Sequence, residues 1–167
     1  MKLTLILVTC MLLAPGVGMA QDGHWVEFFG GYSHVGRKTG TLDNLKSKTA
    51  LMNVWATWRS PCRNKLPLLQ QLYEQIKDRK DVQVITLNID EDVSLVEPFL
   101  KTNKLSFPTL FAFSFVKEFA GPIGIPTTGI SNANGTIRSE ALGFGGDTLD
   151  WIHKTLKQME SIHVAVK

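Results

Sequence analysis

Between Thr49 and Pro67 the chain changes its hydrophobic period once, and that change limits the folds open to it. "TALMNVWAT", Thr49 to Thr57, is a short apolar run with no room for a long helix, which predicts a buried strand. From Pro61 onward Leu66, Leu69, Leu72, Tyr73 and Ile76 fall on one face of a helix expected to reach about Lys80. Pro61 suits the first helical position, where a missing N–H is no loss. Pro67 removes a donor from the helix interior and predicts a kink. A buried strand feeding directly into an amphipathic helix is the opening of an α/β domain.

The remaining chain continues that alternation and then departs from it. "DVQVITLNID", Asp81 to Asp90, is rich in β-branched residues and reads as the next strand; "DVSLVEPFLKTNK" reads as a helix interrupted by Pro98, and "TLFAFSF" as a further strand. After the Gly/Pro-rich "AGPIGIP" come "TTGIS", the turn "NANG" and "TIRSEALGF". Asn134-Gly135 is a strong hairpin signal because both residues tolerate positive φ. A closing helix is expected with Leu149, Ile152, Leu156 and Met159 on its core face, Asp147 as N-cap and Asp150 three residues on. The order β-α-β-α-β followed by β-β-α predicts a central mixed β-sheet flanked by helices on both faces.

The first twenty residues stand apart. Lys2, an apolar run from Leu3 to Leu13 and small residues before Ala20 form the pattern of a secretory signal peptide, and the run is short for a membrane span. Cys10 lies inside the run rather than after it, which argues against lipidation there. The predicted organisation is a signal peptide over 1–20, an irregular lead-in over 21–38, one domain over 39–160 and a tail over 161–167. Export predicts a periplasmic or extracellular location, with no membrane association after cleavage. The leader carries off one basic residue and no acidic one, so the rest stays close to neutral. No basic cluster, aromatic ladder or phosphate loop points to nucleic acid or nucleotide. His24, His34, His153 and His163 are scattered without metal-ligand spacing, so neither metal nor cofactor is expected.

Of the two cysteines, only Cys62 lies beyond the leader, in "NVWATWRSPCRNKLP". This segment resembles the active site of TlpA/ResA-type, redoxin-like thioredoxin-fold proteins, whose pattern is strand, Trp-Ala-x-Trp, Cys-x-Pro-Cys, Arg, helix, Pro. "GIPTTGISNANGTI" is similar to the same family's cis-proline segment, hairpin and turn. The resemblance covers roughly 39–160 and implies an α/β thioredoxin-like fold and a thiol–disulfide oxidoreductase lineage. It also implies that Pro126 is the cis-proline opposite the redox motif, with Ile125 beside it in a substrate groove shared by Trp58 and Pro61. Trp55 is expected in the core and Trp58 partly exposed. Gly129 and Asn132 depart from the family's aromatic and aspartate after Pro-Thr-Thr.

In that family the first cysteine attacks a disulfide as thiolate and the second resolves the mixed disulfide. By resemblance Arg59 stands at the attacking position and Cys62 at the resolving one, so two-cysteine exchange within one molecule is ruled out. Three readings of Cys62 stay open. It is a shielded remnant packed as a small hydrophobe. Alternatively it is a reactive thiol activated by the helix N-terminus and Arg59, the candidate catalytic pair, working on protein thiols or disulfides or, in the manner of a one-cysteine peroxiredoxin, on peroxide. In the third, Arg59 and Arg63 form an anion-friendly surface on a non-catalytic binding or chaperone module that takes an extended peptide in its groove.

Overall fold

The computed structural model describes residues 47–117, 123–145 and 148–165, apart from the side chains of residues 148 and 149. The expected leader and lead-in, Asp147 and the side chain of Leu149 lie outside these residues. Five strands form one mixed sheet in the order β3-β2-β1-β4-β5. They are β1 (Thr49–Trp55), β2 (Val82–Asn88), β3 (Thr109–Phe111), β4 (Thr127–Ser131) and β5 (Ile137–Leu142). The flanking helices are α1 (Ser60–Ile76), α2 (Val96–Thr102), the single turn α3 (Phe113–Phe115) and α4 (Thr148–Val164). This is a thioredoxin-like fold.

β1 is the centre of the sheet, and all seven of its residues are buried. It runs parallel to β2, pairing Trp55 with Asn88, and antiparallel to β4, pairing Val54 with Thr127. A parallel neighbour on one side and an antiparallel one on the other bring three chain ends to one edge of the sheet. These are the exits of β1 and β2 and the entry to β4. α1 and α4 pack on each other and on the sheet. Leu66, Leu69, Leu72, Ile76, Ile152 and Met159 supply the buried contacts, each at 1% exposure or less. At about 25 cal/mol per Å² of apolar surface removed from water, this interior is the main source of stability.

Several elements differ from the sequence expectation. α1 runs unbroken through Pro67 and ends at Ile76, short of Lys80. Ser60 takes the first helical position and Pro61 the second, where its missing N–H is still one of the helix's orphan donors. The strand predicted over "TLFAFSF" stops at Phe111, because Ala112 turns to ψ 10° and Phe113–Phe115 coil into α3. The helix over "DVSLVEPFLKTNK" divides into a 3-10 turn (Val93–Leu95) and α2, so Pro98 falls in the first turn of α2, where it is tolerated. In the hairpin turn only Gly135 takes positive φ, at 81°, while Asn132 Oδ1 accepts from the amides of Asn134 and Thr136.

The β1–α1 loop is held by a buried carboxylate. Asp90 accepts from the Thr57 amide at 2.9 Å, from Thr57 Oγ1 at 2.7 Å and from Asn88 Nδ2 at 2.5 Å. It is 2% exposed, so each donor would lose its only local acceptor if the carboxylate were removed. Asp90→Ala is expected to lower the unfolding free energy by roughly 2–4 kcal/mol, since several buried hydrogen-bond donors are costly to leave unpaired. Urea denaturation measures this, and a loss under about 0.5 kcal/mol, the range of an ordinary surface change, would show that the loop is held otherwise.

Candidate functional site

The loop that Asp90 holds carries Trp58 and Arg59 to the edge of the sheet where β4 begins. Trp55 is fully buried and packs on Phe99 of α2, with ring centroids 5.6 Å apart. Trp58, three residues on, is 62% exposed. Arg59 occupies the N-cap of α1 in extended conformation, and its side chain makes no capping bond. Instead Nε donates to the carbonyl of Ile125 at 3.3 Å. The Ile125–Pro126 peptide is cis. Arg59 therefore spans from the first turn of α1 to the proline segment across the sheet edge. Trp58, Arg59, Pro61 and Ser60 are exposed, whereas Ile125 is buried.

Cys62 sits on the inner side of that helical turn with no exposed surface. Its amide donates to the Arg59 carbonyl at 3.0 Å, the first bond of the helix. Burial pushes the thiol pKa up from its ordinary value. The opposing influences are smaller: a backbone hydrogen bond from Ala56 and the positive charges of Arg59 and Lys65. The Asp90 carboxylate adds a slight push upward. A thiolate in this apolar pocket would lose more hydration than the two cations return, so the neutral thiol is the stable form.

Lys65, one turn further along α1, is the residue that the sequence reading overlooked. It is 2% exposed, among the largest fully buried side chains. Its ammonium donates to Thr128 Oγ1 of β4 and to the Gly143 carbonyl at 3.2 Å, and lies 5.6 Å from the centre of the Trp151 ring on α4. Thr128 Oγ1 in turn donates to Asn53 Oδ1 of β1 at 3.0 Å. Gly143, with φ +82°, also donates its amide to the Pro126 carbonyl at 2.7 Å. One lysine thus joins α1, the β4–β5 hairpin and α4, and reaches the proline segment through Gly143. A signal was present in the sequence: positions 62, 65, 66, 69, 72 and 76 share one helix face, and Lys65 interrupts an otherwise apolar stripe.

All the hydrogen-bond acceptors around Lys65 are neutral, and desolvation lowers its pKa to about 8, with nearby Cys62 opposing the fall. Free lysine titrates near 10.5, so between these values the unfolded chain holds a proton that the folded chain has released. Stability linked to Lys65 therefore rises with pH from about 8 to 10.5. Cys62 acts in the opposite sense: the unfolded thiol ionises first, and stability falls as pH rises through its ordinary value. In a Cys62→Ala background only the lysine contribution of this pair is left. The stability difference between C62A and C62A/K65M is expected to move by roughly 2 kcal/mol in favour of C62A from pH 7.5 to 10, at 1.36 kcal/mol per pKa unit. A pH-independent difference in urea unfolding would contradict the assignment.

Among the described residues no group of three His, Cys, Asp or Glu side chains is placed to hold a metal ion, and no helix is long and apolar enough to cross a membrane.

Comparison with known proteins puts this geometry in context. The family model described as Redoxin matches residues 32–143. The thiol-disulfide oxidoreductase ResA of Oceanobacillus iheyensis is 32% identical over 117 residues, which are 70% of this chain and 59% of that protein. The thioredoxin-like protein YneN of Bacillus subtilis is 28% identical over 124 residues, 74% of this chain and 72% of that one. The chain thus spans about 59% of the length of the ResA proteins it matches. Among solved structures, StoA from Bacillus subtilis superposes with a TM-score of 0.62 at 25% identity, covering 75% of this chain and 94% of that one. A thiol-disulfide isomerase from Corynebacterium glutamicum superposes with a TM-score of 0.65 at 20% identity, covering 78% and 92%, a likeness of fold. With a strand–loop–helix, a cis-proline segment and a family match over most of its length, the chain belongs to the redoxin family.

Proposed function

We propose that this protein is an exported binding module of thiol–disulfide oxidoreductase lineage, whose groove takes an extended segment of a partner polypeptide without exchanging disulfides. Cys62 carries the reading: it has no exposed surface and its thiol is held neutral by burial. Disulfide exchange needs an accessible thiolate to attack and a second thiol to resolve the mixed disulfide. Arg59 stands where the attacking thiol would be, and the other cysteine of the chain lies in the leader. Arg59 bonds to the Ile125–Pro126 segment, Trp58 and Pro61 stand exposed beside Arg59 in the chain, and Lys65 ties that segment's neighbours to α1. The leader pattern over residues 1–20 supports export, and the names of the oxidoreductase relatives support a partner that is itself a protein.

A one-cysteine redox role at Cys62, on protein thiols or on peroxide, is the competing reading. One observation favours it: Arg59 and Lys65 both pull the thiol pKa down, so a modest opening of the first helical turn would leave two cations beside it. Alkylation with iodoacetamide separates the two. In the native protein Cys62 is expected to react about 100-fold or more slowly than an unfolded control, because reaction waits on local opening of the structure. The control in denaturant should react at the rate of a free thiol. A native rate matching the control, with half-maximal reactivity below pH 8.5, would overturn the binding reading in favour of a redox one.

A further inference from the structure

The Arg59–Ile125 bond has a consequence for what the groove can accept. At the end of the sheet where β4 begins, the Ile125 carbonyl already accepts from Arg59 Nε at 3.3 Å. That bond uses the side of the guanidinium next to its stem. The two terminal nitrogens stay on an exposed residue, in the planar pair that receives a carboxylate end-on.

No ion pair among the described residues engages Arg59 or Arg63, and the first turn of α1 contains no acidic residue. Both arginines stand at the positive end of a 17-residue helix. Two large apolar side chains are exposed here, one next to Arg59 in the chain and one against the proline segment. Trp58 precedes Arg59 and is 62% exposed. Leu142 is 72% exposed and lies across Gly124, where an added Cβ would come within 2.6 Å of its Cδ1.

We infer that Arg59 is the specificity-determining residue of the groove, and that it selects an extended peptide carrying an acidic side chain next to apolar ones. This rests on the binding reading above and adds the partner's chemistry. The carboxylate meets the terminal guanidinium nitrogens while the apolar neighbours lie on Trp58 and Leu142. Recognition runs through side chains here, since the Ile125 carbonyl already accepts from Arg59.

The test uses pools of acetylated, amidated octapeptides, each pool fixing one residue at one position, with bound peptide quantified by mass spectrometry. Pools fixing Asp or Glu are expected to be enriched roughly 3–10-fold over pools fixing Lys or Arg, the range for a partly exposed charge pair with hydrogen-bonding geometry. Arg59→Glu, at an exposed position, should keep the wild-type circular dichroism yet reverse the preference toward Lys and Arg. Trp58→Ala should weaken apolar pools while leaving the charge preference. Binding of apolar pools with no acidic enrichment, or an enrichment that Arg59→Glu does not change, would overturn this inference and leave the binding reading standing. If no pool binds, both fall.

Discussion

The pairing of β1 on both of its edges is the constraint on which the rest of the molecule depends. Parallel pairing with β2 places Asn88 and Asp90 beside the exit of β1, and antiparallel pairing with β4 places Pro126 there from the other side. The loop after β1 has no freedom to go elsewhere, because Asp90 takes the Thr57 amide and hydroxyl. Arg59 then meets Ile125, and Cys62 turns inward at the first turn of α1. A one-residue slip of β1 would exchange its two faces and remove Asn53 from Thr128 and thus from Lys65.

Within that frame two cations flank one thiol, and the thiol stays neutral. Arg59 and Lys65 each favour the thiolate, but desolvation outweighs both. Lys65 bears the same penalty, with its pKa brought down to about 8. A buried ammonium with neutral acceptors is an expensive feature, and its placement gives it a task. It joins the helix carrying Cys62 to Thr128, Gly143 and Trp151. Cys62 is shut inside the first turn of α1, while Trp58 and Arg59 beside it stand exposed.

Much of this was legible in the sequence, for physical reasons that differ by element. β1 and α1 were readable because burial imposes a period, and the hairpin because Gly135 supplies the positive φ its turn requires. "TLFAFSF" misled because a short apolar run does not say whether it continues as strand or coils after three residues. Trp58 and Cys62 were identified by their place in the motif, but the burial of Cys62 depended on how the loop is held. Lys65 was passed over because a lysine in an apolar stripe reads as a side chain reaching past it to solvent. Only the tertiary contacts to Thr128 and Gly143 show it kept inside. Asp90 was hidden for a similar reason, since "NIDED" presents it as one of several surface acids.

On the proposed reading, this chain keeps the scaffold of a redox site and lacks its exchange chemistry at one position. Arg59→Cys tests it most directly. Residues 59 and 62 bracket the first turn of α1, with the Cys62 amide bonded to the Arg59 carbonyl at 3.0 Å. The folded variant, oxidised under mild conditions, should form an intramolecular 59–62 disulfide, losing two free thiols per chain without dimerising, and its reduced form should reduce a protein disulfide. A folded variant that retains both thiols, or that cross-links only between molecules, would contradict the account and show that the site has diverged well beyond Arg59.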